Sequence, residues 1–166
     1  NMKKIIYLIA SIVLLIHING CAGYKPIYSS SNFQFEITDH SIKGNKKLGN
    51  KIYSKLYRLF KSNKDNLEAR TVHITIETLS KKNPTVKNSA GKILEYKVVL
   101  STNIILKDFL TNDEILNHNI ILSSAYKIQD EHSDTKQLEN RTIENLINKT
   151  HQDLLIKISE IALNEW

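Results

Sequence analysis

One cysteine, two prolines, five glycines and three arginines are all that the 166 residues contain of these types. A single Cys excludes a disulfide framework, a CxxC redox pair and a cysteine-rich zinc site. Scarce Pro and Gly beside ample Ile and Leu argue against a collagen-like or low-complexity chain. The length suits one domain with a sizeable core. There is no HExxH, no His pair at i, i+4 and no GxSxG, and Gly44 and Gly49 fit no phosphate-cradling loop. His40, His73, His118, His132 and His151 are scattered along the chain. No catalytic residue and no metal ligand is nominated, and a non-enzymatic protein without a dissociable cofactor is expected.

What the chain does have is Ile, Lys and Asn, at 24, 20 and 17 residues, and a net charge of +6. These three types share AT-rich codons, so part of the basic excess reflects coding composition. Lys also lacks the planar fork that suits Arg to phosphates and base edges. A nucleic-acid partner is therefore not expected.

Lys3 and Lys4 precede an apolar run of 12 residues, Ile5–Ile16. That is the length of a secretory h-region and too short for the roughly 20 residues of a membrane-spanning helix. The following Ile18-Asn19-Gly20-Cys21 resembles a bacterial lipobox, with an aliphatic residue at −3, a small one at −1 and Cys at the cleavage point. Residues 1–20 read as a lipoprotein signal peptide, 21–31 as a lipidated tether and 32–166 as the folded domain. Cys21 is the expected lipid attachment site, carrying diacylglycerol on sulfur and an acyl chain on its amine; two or three chains anchor stably where one does not. Ala22 after the cysteine, by resemblance to Gram-negative lipoproteins, implies the periplasmic face of the outer membrane.

Beyond the tether, hydrophobic periodicity orders the elements. Phe33, Phe35 and Ile37 alternate over 32–38, a strand, and 39–46 reads as a turn. Over 47–61, Leu48, Ile52, Leu56, Leu59 and Phe60 recur at helical spacing. Val72, Ile74 and Ile76 mark a strand over 69–79, and 80–92 reads as a polar loop. A long strand over 93–108 follows, then a turn at 111–114 and a strand over 115–129. Strands of this length reach about 50 Å, so they must be interrupted or project beyond the core. Asp134 with Gln137 resembles a capping box opening a final amphipathic helix. The order β-α-β-β-β-α predicts an α+β fold, a two-layer sandwich with two helices on one face of a four-stranded sheet.

Charge is placed unevenly. Lys43, Lys46, Lys47, Lys51, Lys55, Arg58, Lys61 and Lys64 are eight basic residues with no acid among them. Lys47, Lys51, Lys55, Arg58 and Lys61 form a stripe opposite the apolar face of the first helix, and the first four are candidate contacts for phosphorylated lipid headgroups or an acidic partner. Lys81 and Lys82, in the expected loop, are a second candidate contact.

Cys21 followed by Gly-Tyr-Lys-Pro-Ile-Tyr (23–28) resembles the start of the LptE family of lipopolysaccharide-assembly lipoproteins, nearest to its alphaproteobacterial branch. The Leu48–Leu56–Leu59 helix, the three strands after it, Tyr126 near the end of the last and Asn140-Arg141 opening the final helix extend the resemblance. It implies a lipid-anchored subunit that plugs and assists the LptD β-barrel in assembling lipopolysaccharide at the cell surface. The alternative is a periplasmic auxiliary lipoprotein of a lipid-transfer or ABC-type export system.

Overall fold

The computed structural model describes residues 35–61 and 69–164. The expected signal peptide, lipobox Cys21 and tether lie outside the described residues, as does Phe33. The elements run β1 (Phe35–Gly44), α1 (Lys46–Lys61), β2 (Arg70–Lys87), β3 (Ile93–Asp108), β4 (Glu114–Lys127) and α2 (His132–Asn164). This is the expected order, and the fold is α+β. The sheet order is β1-β2-β3-β4. β1 lies parallel to β2 through the α1 crossover, and the other two pairs are antiparallel.

Two strands depart from the sequence expectation, each for a physical reason. β1 begins at Phe35 and continues through Gly44, where a turn was expected. A register shift between Ile37 and Asp39 inverts the alternation, placing Ile42 on the same face as Phe35 and hiding the second half of the strand from a period-two reading. β2 runs on through Lys87, so Lys81 and Lys82 stand in a strand and not in a loop. Residues past Thr78 are mostly polar and each keeps contact with solvent, which removes the hydrophobic pattern while pairing with β3 persists. Among the described residues, this stretch has a sheet neighbour on one side only, because β1 pairs no further than Thr78. Pro84 falls at a register shift, where the lost N–H is tolerated.

β3 spans 16 residues and keeps pairing along its length, so the hairpin projects past β1. α2, at 33 residues, is about 50 Å long and matches it. Glu131 O accepts from Thr135 N at 3.2 Å, which starts the helix before Asp134. Asp134 therefore sits in the first turn instead of capping it. Gln129 N donates to Thr135 Oγ1 at 2.9 Å, tying the incoming chain to that turn. Among the described residues no helix is long and apolar enough to cross a membrane.

Both helices cover one sheet face. Ile52 and Leu56 of α1 pack with Val72, Ile74 and Ile76 of β2, and Leu146, Ile147, Leu154 and Ile158 of α2 complete the core with Leu100, Ile104 and Leu106. Phe60 meets Phe35 edge to face, with centroids 6.4 Å apart, fixing the last turn of α1 over the start of β1. Asn45 caps α1, its Oδ1 accepting from Leu48 N at 3.2 Å, while its own N–H donates to Thr78 O at 2.6 Å. Gly44 makes this junction with φ +71; a Cβ there would strike the Thr78 carbonyl.

Candidate functional site

The basic stripe of α1 meets α2 in a groove of about 290 Å³ lined by Asn50, Lys51, Ser54, Lys55, Arg58 and Glu144. Helical spacing sets this up: Ile52, Leu56 and Phe60 point into the core and turn the positions between them outward. Three of the four α1 cations singled out in the sequence thus share one concavity, and Lys47 stands exposed one turn before it. Glu144 is the feature sequence reasoning missed. Lys51 Nζ lies 2.8 Å from Glu144 Oε2 and Lys55 Nζ 3.5 Å from Oε1. The hydrogen bond from Lys51 holds the Glu144 carboxyl below its ordinary range, and the Lys55 charge adds to it. Three cations against one carboxylate leave the lining net positive, suited to an anionic group.

Further along the helix interface, His151 is held neutral-favouring: burial lowers its pKa, and the nearby Lys55 charge lowers it again. Its Nε2 is buried with no hydrogen-bond partner among the described residues. His151, Gln152, Leu155 and Ile156 line a second, more apolar hollow of about 480 Å³.

Lys81 and Lys82 separate, because successive strand residues point to opposite faces. Lys81 is exposed on the face away from the helices. Lys82 points under α2, its Nζ 2.9 Å from Glu139 Oε2, 4.4 Å over the Tyr96 ring and 5.5 Å from the Tyr126 ring. Lys136 reaches the other oxygen of Glu139 at 3.4 Å. Burial alone would lower the Lys82 pKa, but the Tyr126 hydroxyl and Glu139 outweigh it and the net shift is upward. Tyr126 is buried, and desolvation raises its own pKa. Lys82 therefore holds the first part of α2 to the projecting hairpin. Among the described residues no cluster of three or more His, Cys, Asp or Glu is arranged to hold a metal.

With this geometry in view, solved structures supply the comparison. Rare lipoprotein B from Shewanella oneidensis aligns over 76% of this chain and 98% of its own, with a TM-score of 0.55 and 10% identity. Lipoprotein B from Nitrosomonas europaea aligns over 82% and 90%, with a TM-score of 0.57 and 20% identity. The fold is that of rare lipoprotein B. A minor lipoprotein from Acinetobacter baumannii aligns over 76% and 92% at 11% identity, with a TM-score of 0.50. No family model matches the chain, and no curated protein matches it by sequence.

Proposed function

We propose that the chain is an LptE-like lipoprotein. In this reading diacylglycerol and an N-acyl chain on Cys21 hold it to the periplasmic face of the outer membrane. There it occupies an LptD-like β-barrel and assists it in delivering lipopolysaccharide to the cell surface. The observation that carries the reading is the gathering of Lys51, Lys55 and Arg58 in one groove on a rare lipoprotein B fold. Such a groove offers charge-assisted hydrogen bonds to the phosphates of an anionic glycolipid, and lipid tethering would raise its local concentration at the bilayer. The Gly-Tyr-Lys-Pro-Ile-Tyr segment after Cys21 adds support from the sequence. The reading requires no chemistry from the chain itself, only positioning.

The test is affinity capture of the tagged full chain from separated inner and outer membranes. Recovery with a large β-barrel and with lipopolysaccharide is the expected result. Recovery as a lone chain, or from the inner membrane only, would refute the reading.

A further inference from the structure

The β3–β4 turn carries two large apolar side chains into solvent, Phe109 at 49% exposure and Leu110 at 84%. Solvent-facing apolar residues are ordinary singly; this pair is unusual in how firmly it is presented. Asp108 organises the turn. Its Oδ1 accepts from Leu110 N at 2.8 Å and Thr111 N at 2.9 Å, and its Oδ2 accepts from Arg70 Nε at 2.6 Å. The backbone closes the rest: Asp108 N donates to Asp113 O, Phe109 N to Thr71 O and Asn112 N to Asp108 O, all at 2.9–3.0 Å. Asp113 N donates to Thr111 Oγ1 at 3.3 Å. Every backbone N–H from Asp108 to Asp113 thus has an acceptor within the protein. The turn can therefore meet an apolar-polar interface without stranding a donor, its outward carbonyls staying within reach of water and headgroups.

The turn also lies at a particular end of the molecule. Phe109 is bonded to Thr71, whose sheet partner is Glu36, so about two strand spacings, roughly 10 Å, separate the tip from the start of β1. Cys21 precedes Phe35 by 14 residues, a reach of at most about 50 Å. The described chain begins at this end, so an acylated Cys21 is joined to it directly, while the Asn88–Lys92 end lies roughly 50 Å further along β3. Arg58 and Lys61 in the last turn of α1 face the same end. Asp113 and Glu114 flank the tip, so its contact is apolar and not driven by charge.

We propose that the Phe109–Leu110 turn is a prong that seats in the bilayer interface of the leaflet holding the anchor. The placement rests on the lipoprotein reading; the prong's own affinity for lipid does not. The full chain is tested on vesicles of phosphatidylethanolamine and phosphatidylglycerol, with a tryptophan reporter introduced by Leu110→Trp in a Trp166→Phe background. Blue-shifted emission and quenching by brominated lipid, both stronger than for Ser89→Trp at the opposite hairpin end, are expected. A Cys21→Ser chain should lose residual vesicle binding by roughly tenfold or more when Phe109→Ser and Leu110→Ser are added. Unchanged thermal unfolding would show that the turn itself is intact. Leu110→Trp quenched no more than Ser89→Trp, or protected only by a protein partner, overturns the prong. A bare Cys21 by mass spectrometry, with Leu110→Trp still quenched, instead refutes the anchor and leaves the prong standing.

Discussion

Lys82 on β2 and Glu139 on α2 lie 57 residues apart in sequence, and their charged ends meet at 2.9 Å beneath the first part of the long helix. Glu139 is largely covered, with 16% of its side chain exposed, while Lys82 keeps 38%. Replacing Glu139 with Gln leaves the ammonium over two tyrosine rings without its counter-ion. The expected cost is about 1–2 kcal/mol in urea unfolding, because Lys82 can partly regain water. Lys82→Met, which keeps the stem against Tyr96, should cost less than Lys82→Ala.

Glu144 restrains the groove it lines. Glu144→Gln removes the partner of Lys51 and Lys55 and should tighten lipopolysaccharide binding severalfold at low salt, with stability changed by less than about 1 kcal/mol. Lys51→Gln, Lys55→Gln and Arg58→Gln together should weaken binding and flatten its salt dependence. Titration of labelled lipopolysaccharide at two ionic strengths reads both effects. Equal affinities across the set would remove the groove from the binding surface.

Acid sensitivity follows from Asp108. The Arg70 hydrogen bond, reinforced by the Thr111 and Leu110 amides, lowers its carboxyl from an ordinary 3.8 to about 2. A depressed carboxyl stabilises the fold fully above its unfolded value and loses that contribution as pH falls toward the folded one. Relative to Asp108→Asn, the unaltered chain should lose stability progressively between about pH 4 and pH 2. Urea midpoints of the two chains across that window check the sign; parallel curves would contradict it.

Gly44 and Gly91 both have positive φ, at +71 and +80, but only one is crowded. Gly91→Ala meets open space and should cost about 1 kcal/mol, the backbone penalty alone. Gly44→Ala meets the Thr78 carbonyl as well and should cost about 3 kcal/mol or more. Chemical denaturation of the two variants side by side separates backbone strain from collision.

The parts of the fold legible in advance are those where burial on one face imposes a period. β3 ends at Asp108 as its alternation predicts, with Val98, Leu100, Ile104 and Leu106 inward. α1 is within one residue of its expected start for the same reason. Legibility fails where tertiary pairing replaces the pattern: the register shift after Ile37 hides half of β1, and the polar, solvent-touching residues past Thr78 hide the far half of β2. The candidate site divides the same way. Helical spacing alone places Lys51, Lys55 and Arg58 on one face. The carboxylate that restrains Lys51 and Lys55 comes from a helix some ninety residues downstream, and nothing local to either segment announces the meeting.

The far half of β2 carries Lys81, Lys82, Pro84 and Lys87 along a border that β1 leaves uncovered. A second copy paired there would set Lys81 and Lys87 against like charge, Lys82 being matched by Glu139, and would find no amide hydrogen at the proline. Edge-to-edge zipping of two copies through this border is thereby discouraged.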